Sequence, residues 1–192
     1  MASNQDDEPL PADETRARLE RLARLMRQAG HAASLNPVQW EALRYLARAN
    51  ALSNTPGALA RYLGSTKGTI SQSLLALEKK GMVQKQVRGQ DSRSVSLKLT
   101  LAGQDILLKD KLLPLEAEID ALGVKTRKRF DRALDALLTA ETLRQGEPSF
   151  GTCMTCRYYR EMPNGTPALC MKVNATVAPA ETTLICVEHS GR

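Results

Sequence analysis

Histidine is scarce in this chain, with two residues, His31 and His189, among 192. The sequence has no ordering of Ser, His and Asp that suits nucleophilic catalysis, and no glycine-rich phosphate loop after a strand. Paired carboxylates such as Asp131 and Asp135 stand beside arginines at helical spacing, which is typical of a solvated, salt-bridged helix face. These absences indicate that the chain is not an enzyme.

Long apolar runs are also missing. No stretch of about 18 apolar residues is present, so the sequence predicts no membrane span. The first 14 residues, MASNQDDEPLPADE, are acidic where a secretory signal would be basic and then apolar. We therefore expect a soluble cytoplasmic protein whose residues 1–14 form a disordered acidic tail.

The composition supports a compact core, since 42% of the residues are hydrophobic. Apolar residues recur at helical spacing from Thr15 to Gly30 and again from Lys125 to Gln145. A composition rich in Gly, Thr, Pro and Cys begins after residue 146. We predict a mainly α fold with a small β wing, comprising a domain at 15–146 and a cysteine-rich module at 147–192.

The segment 55–100 has the order of a winged helix-turn-helix. Thr55 and Pro56 begin a short helix that ends at Gly64, and Ser65 or Thr66 caps a second helix. A strand at 82–87, a polar loop and a second alternating strand from residue 95 then form a hairpin, the wing. Helix-turn-helix proteins place their second helix in the major groove of DNA.

Positive charge is concentrated in this segment. It contains eight Lys and Arg against two acidic residues, a net charge of +6 that equals the net charge of the whole chain. Because a phosphate-binding surface requires local cationic excess, this distribution favours double-stranded DNA as the partner.

Short polar side chains on the second helix are suited to reading DNA. Gln72 can pair bidentately with adenine, whereas Lys67 and Ser65 are expected to contact the backbone. In the wing, Arg93, ahead of Arg88, is expected to enter the minor groove. The predicted DNA-binding residues are Ser65, Lys67, Thr69, Ser71, Gln72, Ser73, Arg88, Asp91 and Arg93.

The chain resembles the MarR family of bacterial transcriptional regulators in the segments NPVQWEALRYLARAN, TPGALARYLGSTKGTISQSLLALEKKGMV and RGQDSRSVSLKLTLAG. The most specific matches are Asp91-x-Arg93 at the wing tip and Leu97-x-Leu99-Thr100-x-x-Gly103 after it. The resemblance covers about residues 18–145. It implies a homodimer, built by interleaving the N- and C-terminal helices, that binds a pseudo-palindromic operator and is released by a ligand or an oxidant.

All four cysteines lie in the last forty residues, at Cys153, Cys156, Cys170 and Cys186. Because this segment has few large aliphatic residues, a metal ion or cluster bound by the cysteines would stabilise its fold. Cytosolic thiols are kept reduced, which disfavours structural disulfides and indicates metal or redox chemistry. An Asn164-Gly165 turn is expected to return Cys170 toward the first pair.

The spacing C-x2-C-x13-C-x15-C does not identify the metal. One tight pair followed by two solitary cysteines resembles the pattern of high-potential iron-sulfur proteins, which implies a four-iron four-sulfur cluster. A tetrahedral zinc site is the alternative, and a redox disulfide is a third. His189 and His31 are expected to be solvated rather than ligands.

Two functions follow from these patterns. The first is a dimeric regulator, expected to be a repressor, whose four-cysteine module senses redox state, oxygen or iron. The second is a MarR-like regulator that answers to a small ligand in the dimer cleft, with a structural zinc in the module serving protein interaction or assembly.

Overall fold

The structure, a computed structural model, describes residues 9–30, 33–87, 95–163 and 167–191. The helices are α1 (Ala12–Ala29), α2 (Pro37–Arg48), α3 (Pro56–Tyr62), α4 (Lys67–Lys79), α5 (Leu101–Leu107), α6 (Leu113–Ala121) and α7 (Val124–Gln145). The strands are β1 (Val83–Val87), β2 (Val95–Leu99), β3 (Tyr159–Arg160), β4 (Ala168–Cys170) and β5 (Ala175–Val177). The predicted class, mainly α with a small β wing, is confirmed.

Side-chain caps fix the starts of the helices around the core. Asn36 forms a capping box with Gln39 at the start of α2, and Thr55 accepts a hydrogen bond from the Ala58 N–H at the start of α3. α1 begins at Ala12, so the predicted tail is too long by its last three residues. Acidic residues in the first turn of a helix favour helix formation there. Residues 1–8 lie outside the described residues.

The main core lies between α2, α3, α4 and the wing. Its largest fully buried side chains include Trp40, Tyr45, Leu43, Leu59, Ile70, Leu74, Leu77 and Leu97. α2 passes through the centre of this cluster, because Trp40, Leu43 and Leu46 recur at i, i+3 and i+6 on one face. The C-terminal module contributes Ile185 to the same core.

The wing is the antiparallel pair β1 and β2, with Val83 opposite Leu99 and Val87 opposite Val95. Thr100 follows it and caps α5 by accepting from the Gly103 N–H at 3.1 Å. A Cβ at Gly103 would stand 2.1 Å from the Met82 carbonyl oxygen. Only glycine therefore allows α5 to pack this closely against the start of the wing.

The helix that follows the wing differs from the predicted one. The helical spacing of apolar residues from Thr100 to Leu113 predicts one helix that Pro114 interrupts, but α5 ends at Leu107 and Pro114 lies in the first turn of α6. The intervening turn is fixed by Asp110, whose carboxylate accepts from the Leu112 N–H and pairs with Arg44 of α2. A proline in the first helical turn loses no intrahelical bond.

α7 ends at Gly146, which has a left-handed φ of 66°. The module beyond it contains a three-stranded antiparallel sheet in the order β3-β4-β5 and a 3-10 turn at Cys153–Thr155. Its own buried cluster is small, comprising Cys153, Cys156, Tyr159 and Val177. Thiols thus make up half of the buried residues of that cluster.

Candidate nucleic-acid interface and cysteine module

α4 has one buried face and one exposed face. Ile70, Leu74 and Leu77 are each at most 1% exposed, and their i, i+4, i+7 spacing fixes α4 against the core. On the opposite side, four of the predicted DNA-binding side chains are exposed: Lys67, Thr69, Ser71 and Gln72. The exposed face therefore presents an ammonium, two hydroxyls and an amide to the solvent.

The start of α4 is fixed by a threonine pair. Thr66 is the N-cap and accepts from the Thr69 N–H at 3.1 Å, while the two hydroxyls lie 2.9 Å apart. Of the two capping candidates, Thr66 is thus the cap and Ser65 occupies the turn. The Thr69 hydroxyl is oriented by this contact, which fixes its direction on the exposed face.

Two other predicted positions lie elsewhere. Ser65 is half-buried in the turn after Gly64, whose φ of 55° requires a left-handed backbone. Ser73 is 8% exposed and lies on the side of α4 that faces the core. The polar face available to a ligand is therefore smaller than the sequence pattern indicated.

The wing extends the cationic surface. Lys85 of β1 pairs with Glu78 of α4 at 2.9 Å, which links the wing to the second helix of the motif. Gln84 and Gln86 flank Lys85 and are exposed, although the sequence had not singled them out. The predicted contacts of Arg88, Asp91 and Arg93 fall outside the described residues.

The four cysteines share one environment within the module. Cys153, Cys156 and Cys186 are buried, Cys170 is half-buried, and no disulfide joins any of these four described residues. Burial, and to a smaller extent the neighbouring thiols of Cys186, Cys170 and Cys156, raise the pKa of Cys153 to about 11. The Cys153 thiol therefore lies close enough to the other three to interact with them electrostatically, and its raised pKa favours its protonated form.

The pKa of Cys186 is subject to opposing influences. Burial raises its pKa, while donors from the Asn50 side chain and the Glu188 backbone N–H act in the opposite direction. Donors aimed at a sulfur atom stabilise the thiolate, the form that binds metals. Within the described ranges, however, no group of three or more His, Cys, Asp or Glu is arranged to hold a metal ion. The four cysteines thus offer the sulfur ligands that zinc and iron prefer, but their side chains are not arranged around a metal ion.

Both ring nitrogens of His189 contact hydroxyl groups. Its Nε2 lies 3.0 Å from the Thr155 hydroxyl and its Nδ1 lies 3.3 Å from the Ser149 hydroxyl. Burial lowers the pKa of the imidazole, which therefore favours its neutral form. The ring also fills the space beside Gly151, where a Cβ would stand 2.6 Å from Nε2. The contacts of His189 are those of a structural residue, and His31 lies outside the described residues.

A cavity of about 540 Å³ separates the end of α3 from the end of α7. Tyr62 and Phe150 line it and stack edge to face at 5.0 Å. Glu141 and Arg61 add opposite charges to its wall. Its volume suits a small organic molecule.

A known family model matches 62 consecutive residues of the chain. Residues 33–94 match the model of the MarR family. This span includes α2, α3, α4 and the first strand of the wing, β1, whereas β2 begins just beyond it at Val95. MarR proteins are transcription regulators and not enzymes, which agrees with the expectation drawn from the scarcity of catalytic residues. No curated protein matches the chain.

Solved structures share this MarR-like fold. A glycine-to-lysine mutant of MepR from S. aureus is 21% identical, with a TM-score of 0.53 over 69% of this chain and 98% of that one. The S. aureus MepR-DNA complex is 21% identical, with a TM-score of 0.52 over 69% and 99% of the two chains. A MarR transcriptional regulator from Methanosarcina mazei Go1 is 20% identical, with a TM-score of 0.52 over 67% and 94%.

Among the helices of the described residues, none is long and apolar enough to cross a membrane.

Proposed function

We propose that this chain is a sequence-specific, DNA-binding transcriptional regulator that acts as a repressor on a double-stranded operator in the bacterial cytoplasm. The exposed polar face of α4 carries the proposal, because Lys67, Ser71 and Gln72 project from a helix whose other face is fixed in the core. The match of this segment to the MarR family supports it. So does the presence of a MepR-DNA complex among the structures of similar fold.

The regulator acts as a homodimer in this proposal. α1 has no buried residue in the single chain, and Leu19, Leu22 and Leu25 on it are 41 to 54% exposed. α7 likewise has no buried residue and exposes Phe130, Leu134, Leu137, Leu138 and Leu143. Exposed apolar faces of this extent on two helices require another protein surface to cover them. A second copy of the chain, related by a two-fold axis, brings the same two faces and can cover them.

The four-cysteine module is the proposed sensor, and Cys153, Cys156, Cys170 and Cys186 would hold a four-iron four-sulfur cluster. A zinc ion requires four sulfur atoms at about 2.3 Å from one centre. A cluster is bound through separate iron atoms, so its ligands stand farther apart. The spacing of one tight pair followed by two solitary cysteines is what favours a cluster over zinc here. The cluster would supply a redox-active or oxygen-sensitive group, and the chain would supply the ligands and their hydrogen bonds.

The test is anaerobic purification followed by iron, sulfide and zinc analysis. We expect brown protein with broad absorbance at about 400 nm and loss of operator affinity when the chromophore is bleached by air. The affinity is measured by fluorescence anisotropy on a duplex selected from a random library. Operator binding that does not change when the chromophore is bleached would contradict the sensing role and leave the DNA-binding role intact.

The second function keeps the DNA-reading head but assigns control to a small-molecule effector. The 540 Å³ cavity beside Tyr62 and Phe150 favours it, since these two side chains form an aromatic wall for an organic ligand. In this case the module holds a structural zinc for assembly. Colourless protein with one zinc per chain, and operator release by an aromatic compound, would support this function over the first.

A further inference from the structure

The C-terminal module is docked on the loop that joins α2 to α3, residues 49–55, which we call the α2–α3 loop. Ile185 donates its N–H to the Arg48 carbonyl at 2.6 Å, and its own carbonyl accepts from the Asn50 N–H at 3.0 Å. Ile185 and Ala49 thereby form a parallel β-bridge. The backbone of the module therefore holds this loop in the way that a neighbouring strand would hold it.

Ser53 is the buried residue at which this contact enters the loop. Its hydroxyl oxygen accepts from the Val187 N–H at 2.8 Å, and the hydroxyl donates to the side-chain oxygen of Asn50 at 2.7 Å. The same Asn50 oxygen accepts from the N–H groups of Leu52 and Ser53 at 3.1 and 3.0 Å. Ser53 is 0% exposed and Val187 is 8% exposed, so water has little access to replace these bonds. One hydroxyl thus joins the module to the turn of the loop.

The backbone of the α2–α3 loop extends the connection to the elements around α4. The Ser53 carbonyl accepts from the Tyr45 hydroxyl of α2 at 2.8 Å and from the N–H of Thr55, the N-cap of α3, at 2.7 Å. The Asn54 carbonyl accepts from the Leu97 N–H of β2 at 2.7 Å. Because α4 lies between α3 and the wing in the chain, a shift of this loop would change how the exposed face of α4 stands relative to the wing.

We propose that Ser53 is a positioning residue through which the C-terminal module holds α3 and the wing in the arrangement that recognises the operator. The inference rests on the proposed function, since operator recognition is what it affects. The module acts here through its backbone contacts, whatever the cysteines bind. Base recognition requires α4 and the wing to be engaged in register, whereas attraction between cations and phosphates does not depend on sequence. The arrangement therefore matters more for the operator than for random DNA.

The substitution Ser53→Ala removes the hydroxyl and leaves the buried Val187 N–H without its acceptor. We expect the affinity for the operator to fall by about 3- to 30-fold. The affinity for a random duplex, measured by fluorescence anisotropy at the same salt concentration, should fall by less. A smaller fraction of folded protein would lower both affinities by the same factor, so the ratio of the two separates misplacement from destabilisation.

Ser149→Ala is the matched control. It also removes a serine hydroxyl from a hydrogen bond, which the Ser149 side chain donates to the His189 carbonyl at 3.1 Å inside the module. This bond does not touch the α2–α3 loop, so we expect the affinity ratio to remain that of the wild type. A folded Ser53→Ala protein with the wild-type ratio would overturn the inference.

Glu181 tests the same contact from the side of the module and keeps the inference testable if Ser53→Ala does not fold. Its carboxylate accepts from the Ala51 N–H at 3.1 Å at an exposed site, so a substitution there opens no cavity in the core. Glu181→Ala should lower the affinity ratio, and Glu181→Gln, which keeps an oxygen acceptor, should restore it. Where Ser53→Ala does not fold, a wild-type ratio in Glu181→Ala would overturn the inference.

Hydrogen exchange on the folded variants locates the change. The Leu97 and Ala58 amides should lose protection, because the first donates to the loop carbonyl of Asn54 and the second to the Thr55 cap. The Thr69 amide, which has a local cap on α4, serves as the internal reference. Wild-type protection at both Leu97 and Ala58 would overturn the positioning role. A wild-type chain that prefers no duplex over random DNA would instead contradict the proposed function.

Discussion

Gln72 and Ser73 show how far the exposure of a single side chain can be predicted from the sequence. The exposure of Gln72 follows from the sequence, because Ile70 and Leu74 lie two residues to either side and turn inward. The same periodicity misplaced Ser73, which is buried beside Leu74 although its hydroxyl resembles those on the exposed face. Short polar residues at the border of a helix face can lie on either side, so the pattern alone does not distinguish them.

Gln72→Ala should weaken binding to the selected operator by about 1–3 kcal/mol and relax the preference at one base pair, because a bidentate amide contact is lost. Fluorescence anisotropy on the operator and on single-base variants measures both effects. Gln104→Ala removes an exposed amide from α5 and is the control. A uniform loss of affinity across all duplexes would show that Gln72 contacts the backbone instead.

Lys67→Ala should differ from Gln72→Ala in kind. An ammonium that contacts a phosphate contributes without reading sequence, so we expect weaker binding to operator and random DNA alike. The slope of log affinity against log salt should become shallower by about one. Lys109→Ala, at an exposed position between α5 and α6, should leave the slope unchanged. An unchanged slope in Lys67→Ala would place this side chain away from the phosphates.

The turn between α5 and α6 shows why some elements cannot be predicted from local sequence. Pro114 suggested a break at that position, but the break occurs earlier because Asp110 pairs with Arg44, at 2.5 and 2.7 Å. Arg44 in turn lies over the Trp40 ring at 5.5 Å. These partners are 66 residues apart in the chain, so no window of sequence contains the reason for the turn. The helix caps, by contrast, depend on residues three apart, and they were predictable.

Asp110→Asn should destabilise the fold by about 1–3 kcal/mol at pH 7, since it leaves the guanidinium of Arg44 without its charged partner. Burial alone would raise the pKa of Asp110, but the hydrogen bonds and charge of Arg44 and the Leu112 N–H outweigh it and lower the pKa. A lowered pKa in the folded state contributes stability that is present above about pH 4 and is lost as the pH falls through the folded value.

Urea unfolding at pH 7 and at pH 3 measures this effect. The difference in stability between the wild type and Asp110→Asn should shrink at the lower pH. Asp105→Asn, at an exposed position on α5, controls for removal of a carboxylate in the same region. If the difference is the same at both pH values, the ion pair with Arg44 is not its source.

The C-terminal module shares buried residues with the winged-helix core and also has a small buried cluster of its own. Ile185 belongs to the core built by α2, α3 and α4, and Phe150 packs against the same core. The sequence correctly indicated the winged-helix head and the concentration of cysteines, because both depend on local pattern. The backbone hydrogen bonds of Ile185 with Arg48 and Asn50 could not be predicted, since they join two compositionally different segments and have no motif.

Ile185→Ala therefore tests the integration of the module. Ile185 is 6% exposed in the shared core, so its truncation should lower the free energy of unfolding of the whole chain by about 2–4 kcal/mol. Met171→Ala, at a position 53% exposed on the module, should have little effect. Thermal unfolding followed by circular dichroism of the helices gives the comparison. Unaltered helix melting in Ile185→Ala would mean that the module folds independently of the head.

The exposed faces of α1 and α7 lead to a prediction about assembly. Leu137 is 55% exposed in the single chain, yet the proposed dimer would bury it. A charge there would then have to be desolvated without a partner. Leu137→Asp should give a species with the mass of one chain by light scattering, and operator affinity should fall by about 100-fold because the two half-sites are no longer bound together. Leu101→Asp, at a 78% exposed position at the start of α5, should remain dimeric. A dimeric Leu137→Asp protein with full operator affinity would exclude this face of α7 from the interface and require α1 to pair in another way.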